Sequence, residues 1–162
     1  MVPLQPMAGR VGGWLLAALV FVAPGVVATL VWAPFLAAKR IRALFAALPP
    51  TDSVVPSYAA VGVGASAPYV AGALVVFASV DPADAGLSNA LLDLTAVLST
   101  LYVVGAPLVG IIALPRLGMD WDPTDYEAST WVLLAAGGGW YAAVFAVPSL
   151  LLSVVFALPG GY

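Results

Sequence analysis

The chain has 162 residues, 63% of them hydrophobic and 8% charged, with a net charge of −3 and a mean hydropathy of +1.08. A soluble domain carries roughly 25% charged residues, so a water-facing surface cannot be built from this composition. The acidic balance excludes nucleic-acid binding. The absence of Cys and His removes disulfides, thiol chemistry, iron–sulfur ligation and imidazole ligands for haem or zinc.

No Asp, Glu, Lys or Arg occurs in residues 11–38, 53–80, 94–115 or 128–162. About 20 apolar residues span a bilayer core as a helix, and only helices or closed barrels satisfy their backbone there. The runs are continuous rather than alternating, which makes them helices. The expected fold is all-α: one integral membrane domain over residues 1–162, with four transmembrane helices in a bundle.

Span one is expected over about 11–37. Met1 to Gly13 does not read as a signal peptide, because the apolar run behind it is far longer than a signal core. Trp14 and Trp32 are placed as interfacial anchors, and Pro24 predicts a kink between them. Next comes Lys39-Arg40-Ile41-Arg42, with three of the five basic residues. Ile41, Leu44, Phe45 and Leu48 follow helical spacing, which predicts an interfacial helix over about 39–48, ended by Pro49-Pro50. Lys39, Arg40 and Arg42 would then lie at the lipid interface as topogenic charges with snorkelling side chains. The alternative is a lipid-binding or partner-docking element.

Span two is expected over about 57–80, kinked at Pro68. Gly62 with Ser66, and Pro68 with Gly72, set small residues four apart, a spacing that lets helices approach closely. Asp81-Pro82-Ala83-Asp84 reads as an N-cap with a first-turn proline. Span three, about 89–114, carries the packing pair Ala106 and Gly110 around a kink at Pro107. Asp93 stands one turn into that helix, where head-group depth and the positive helix end suit a carboxylate. An ion site there is the functional alternative.

The following loop holds Arg116 with Asp120, Asp122, Asp125 and Glu127. Calcium ligation fails on spacing, because Asp125 occupies the place where an EF-hand loop needs glycine; no metal or cofactor is expected. Span four, about 130–158, has a small-residue stripe of Ala135, Gly139 and Ala143 and a kink at Pro148. Interior prolines in all four spans would be compatible with two tandem helical hairpins. Against this stands the plain frequency of proline in membrane helices.

The phrase Asp120-Trp121-Asp122-Pro123-Thr124-Asp125-Tyr126 contains Trp-x-Pro-x-x-Tyr at the entry to span four. Together with the acidic loop Asp81 to Asp84, it resembles the small multi-spanning membrane proteins of salt-loving archaea, a resemblance of composition and one short motif that implies no activity.

Four basic residues fall in the loops 38–56 and 115–129, against Arg10 alone on the other side. The positive-inside rule makes those loops cytoplasmic and puts both termini outside a multi-pass cell-membrane protein. No catalytic site is expected, since Ser66, Thr100, Ser149 and the other hydroxyls have no His, Lys or carboxylate pair beside them. The expected role is a structural or accessory membrane component, in contact with the bilayer and with itself or a larger complex. The alternative is a small oligomeric transporter or channel subunit.

Overall fold

The computed structural model describes residues 22–50, 53–81, 86–123 and 125–158. The first half of predicted span one, including Gly12 and Trp14, and part of the Asp81–Asp84 cap lie outside them. No strand occurs among the described residues.

Helix α1, Val22–Ala37, tightens into a 3-10 helix at Ala33, where Pro34 enters the first turn. Arg42 closes its end by donating to the Leu36 and Ala37 carbonyls at 2.7 and 3.2 Å, as cations do at helix C-termini. Helix α2, Lys39–Ala47, follows after one extended residue, Ala38. Its stripe of Ile41, Leu44 and Phe45 is buried, packed with Tyr58, Leu114, Trp121 and Leu134. The short helix therefore lays its apolar face on the other helices and closes one end of the bundle.

Predicted span two is two helices in line, α3, Val54–Gly64, and α4, Ala67–Ser79. The chain breaks at Ala65–Ser66, where the Ser66 N–H turns to the Val63 carbonyl at 3.1 Å. Pro68 lies in the first turn of α4, a position that needs no N–H. It starts a helix here. Helix α5, Gly86–Arg116, runs regularly to Pro107 and then widens to a π-turn over Leu108–Ala113. Helix α6, Ala128–Ala157, continues through Pro148 for 30 residues.

Helices α5 and α6 make the most extensive pairing in the bundle, and glycines set its distance. A Cβ on Gly138 would collide with the Tyr102 carbonyl and lie 3.1 Å from the Ala106 Cβ. Gly110 does the same against Leu134, Gly72 against Leu94, and Gly62 against Thr29. The buried face of α6 carries Leu134, Gly137, Gly138, Tyr141, Ala142 and Phe145. Ala135 and Gly139 are half-buried at its edge and Ala143 is exposed. The three consecutive glycines leave the phase of this face open in the sequence. The burial of Tyr141 and Phe145 selects it.

Three helices are long and apolar enough to cross a membrane, Val54–Ser79, Gly86–Arg116 and Ala128–Ala157, and Val22–Ala37 is a shorter apolar helix. Their outward faces are largely apolar, with Leu30 68%, Val97 65%, Val132 68% and Leu151 63% exposed.

The glycine contacts separate two neighbouring substitutions. Gly138→Ala should destabilise the bundle by about 1–3 kcal/mol, because the obstacle is backbone and cannot turn aside. Gly139→Ala, whose Cβ would meet Val103 at an ordinary 3.4 Å, should be neutral or stabilising by up to about 1 kcal/mol. Thermal unfolding of both variants in mild detergent checks the order.

Candidate functional site

Two constructions stand out, an aromatic cavity between the helices and a charged clamp at the α2 end. The cavity has a volume of about 300 Å³ and an almost wholly apolar lining. Trp32 of α1, Phe45 of α2, Tyr58 of α3, Tyr102 of α5 and Tyr141 of α6 all contribute to its wall. Gly62, Gly110, Gly137 and Gly138 supply bare backbone between these rings. Ring contacts tie the elements together: Trp32 stacks on Tyr58 at 5.9 Å, and Phe45 meets Tyr58 edge-on at 5.3 Å. Below them Tyr102 stacks on Tyr141 at 5.6 Å, and Tyr69 on Phe145 at 4.7 Å.

The polar tips of these aromatics are turned onto backbone. Where the α3–α4 break leaves carbonyls outside regular helix, Tyr141 donates to Gly62 O at 2.5 Å and Tyr102 donates to Ala65 O. Tyr58 donates to Thr29 O, just before α1 tightens, and Trp32 Nε1 donates to Gly137 O at 2.7 Å. Tyr69 shares a 3.0 Å hydrogen bond with Ser99.

The π-turn explains one further bond. Its register sends the Leu114 N–H to Val109 O, so the Gly110 carbonyl would look to residue 115. That residue is proline and has no N–H. The indole of Trp121 fills the role, donating to Gly110 O at 2.7 Å from within the buried wall.

The Trp-x-Pro-x-x-Tyr phrase folds around the same bond. The Tyr126 hydroxyl donates to Asp120 Oδ1 at 2.6 Å and receives the Trp121 N–H at 3.3 Å, while the two rings meet edge-on at 5.6 Å. Desolvation, and then the bond to Asp120, hold the Tyr126 phenol above its ordinary pKa. Asp125 and Tyr126 both take φ of 58°, a left-handed conformation that costs a non-glycine residue about 1–2 kcal/mol. The contacts of Tyr126 hold that turn in place.

At the bundle end, Arg40 reaches from α2 across to α6. Its Nη1 donates to Ser129 Oγ at 2.5 Å and to Thr130 Oγ1 at 3.0 Å. Its Nε lies 4.0 Å from Asp122 Oδ1, and Nη2 lies 3.7 Å from Glu127 Oε2. Thr130, with no exposed surface, donates its hydroxyl to Asp122 Oδ2 at 2.5 Å. The Asp122 side chain is fully enclosed. A charge so placed needs its cation and its hydroxyl donor.

The predicted residues are distributed as follows. Of Lys39, Arg40 and Arg42, Arg40 forms the clamp, Arg42 caps α1, and Lys39 is exposed. Gly62, Gly72, Ala106 and Gly110 stand at helix contacts, and Ser66 is buried with its hydroxyl on Val63 O. Pro24 lies in α1, two residues beyond the first described one. Thr100 is exposed and bonds Ala96 O, and Ser149 bonds Phe145 O. Ser66, Thr100 and Ser149 are absent from the cavity wall. Asp93 is exposed. Of the carboxylates considered for calcium, Asp122 and Glu127 face Arg40 in the clamp, Asp120 accepts from Tyr126, and Asp125 is exposed.

Sequence reasoning missed the tyrosine and tryptophan donors. A signal existed: Tyr102 and Tyr141 fall near the middle of predicted spans, too deep for an interfacial belt.

Two variants test these constructions. Trp121→Phe should cost about 1–3 kcal/mol by leaving the Gly110 carbonyl unserved. Adding Pro115→Ala, which supplies an N–H at the required position, should recover part of the loss in a detergent unfolding series. Arg40→Met should cost about 2 kcal/mol, moderated by the partial exposure of the guanidinium. Asp122→Asn in the same chain should recover more than half of that, read as a double-mutant cycle.

No curated protein and no solved structure matches the chain. The family model described as Domain of unknown function (DUF8162) matches residues 12–160, and the chain belongs to that family.

Proposed function

We propose that this protein is a multi-pass membrane protein of four spans, α1 extended by the residues before it, α3–α4, α5 and α6. In this reading it serves as a non-catalytic structural or accessory component. The bilayer is its first partner, and a second copy or a larger membrane complex its second.

The observation that carries the reading is the chemistry of the interior. Aromatic and aliphatic side chains line the space between the helices, and the hydroxyls of Ser66, Thr100 and Ser149 bond locally instead of meeting there. A path for ions or polar solutes would need such groups to converge. The carbonyls at the helix break and the π-turn, which could otherwise face a permeant ion, are bound by Tyr102, Tyr141 and Trp121.

Contacts from Arg40 to Asp122 and Glu127 support a common side for the Lys39 and Arg116 loops. The positive-inside rule then makes loops 38–56 and 115–129 cytoplasmic and both termini external.

Proteoliposomes containing the purified chain should pass potassium, sodium and protons no faster than empty vesicles. Purification in mild detergent should yield a self-associated form or a stable membrane-protein complex. Ion flux above that of empty vesicles would favour the oligomeric transporter reading and overturn this one. Because the chain has no Cys, Leu117→Cys, at a position 73% exposed, gives a clean topology probe. It should resist an impermeant thiol reagent on intact cells and react after permeabilisation.

A further inference from the structure

We propose that the cavity between α1, α3, α5 and α6 is a binding site for the hydrocarbon chain of a membrane lipid, entered sideways from the bilayer between α3 and α5. The proposal rests on the membrane-embedded reading and adds to it a ligand class and a route.

Size comes first. About 300 Å³ is available, roughly twice the 150 Å³ engineered apolar cavity that admits benzene. Packed interiors contain few voids larger than a water molecule. A space of this size, if empty, would leave its lining without dispersion partners.

Chemistry comes second. Water is a poor occupant, because it needs two to four polar partners. The hydroxyls of Tyr58, Tyr102 and Tyr141 and the indole N–H of Trp32 are all committed to backbone carbonyls. Thr29 also lines the space, with its hydroxyl donating to Gly25 O at 2.7 Å, so what faces the interior is ring surface, aliphatic groups and glycine backbone. A ligand with a polar group inside would find nothing to bind it. A methylene chain needs nothing more than this.

The opening comes third. Among the described residues lining the cavity, Val61 on α3 and Val109 on α5 are the exposed ones, at 38% and 53%. Both belong to helices long and apolar enough to cross a membrane, and each lies well inside its helix. The mouth therefore faces what surrounds the spans. The far end is stopped by Leu44, Phe45 and Leu48 of the α2 segment, which the Arg40 clamp ties to α6. A chain tip can enter between Val61 and Val109 and stop against Phe45.

The full-length protein, reconstituted in phosphatidylcholine–phosphatidylglycerol vesicles, can be exposed to a phosphatidylcholine carrying a diazirine in its acyl chain. After photolysis, labelled residues are mapped by mass spectrometry. Label is expected on buried lining residues behind the mouth, Tyr58 and Phe45 among them, as well as on outward Val97 and Leu151. Val61→Trp and Val109→Trp, each placing an indole in the mouth, should lower the interior label by about tenfold, since a filled site leaves no room for the chain. Val97→Trp should not lower it. Label on Val97 and Leu151 with none at Tyr58 or Phe45 overturns the lipid site and leaves the membrane reading standing. Label on neither set overturns both. The wild-type map decides the matter even if a tryptophan variant fails to fold.

Discussion

A backbone carbonyl buried among apolar helices has only protein to bind, and leaving it unpaired is costly. Much of this bundle is arranged around that constraint. Among the described residues its helices are irregular at three places: the tightening of α1, the α3–α4 break and the π-turn of α5. At each, an aromatic side chain from another element supplies a donor. Tyr58 serves Thr29, Tyr102 and Tyr141 serve Ala65 and Gly62, and Trp121 serves Gly110. These bonds also act as crosslinks, so the departures from regular helix become the points where the helices are tied together.

The same arrangement accounts for the interior space. An aromatic ring whose tip must reach a neighbour's backbone cannot also fold inward to fill a void. Glycines at 110 and 137 let backbone come close to the Trp121 and Trp32 rings, those at 62 and 138 admit the Thr29 side chain and the Tyr102 backbone, and none contributes side-chain volume. Between rings held outward to carbonyls and glycines held close to rings, a cavity is left. The α2 helix closes it at one end because Ile41, Leu44 and Phe45 have an apolar seat there.

Charge is used sparingly and for distinct tasks. Arg40 neutralises the enclosed Asp122 with the help of Thr130 and Ser129, and in doing so fixes α2 to the start of α6. Arg42 serves the end of α1. Of the basic cluster, Lys39 and Arg42 are exposed, and Arg40 is half-buried. A cluster read as an interfacial patch is thus largely consumed in holding the bundle end together.

The all-α class was legible in composition, since charge-free apolar runs of this length leave the backbone few options. The pairs at Gly62, Gly72, Ala106 and Gly110 were legible because small residues at helical spacing report close approach. The α2 stripe was legible as amphipathic, but whether it would meet lipid or protein was not, since both are apolar. Proline was legible as an irregularity and ambiguous in kind: Pro68 starts a helix, Pro107 precedes a π-turn and α6 continues through Pro148. Only the tertiary structure decided the rest. Which carbonyl each tyrosine reaches, which glycine of three meets Tyr102, and that Arg40 finds Asp122 all depend on helices far apart in the chain coming together. Local sequence cannot encode distances between elements that packing alone sets.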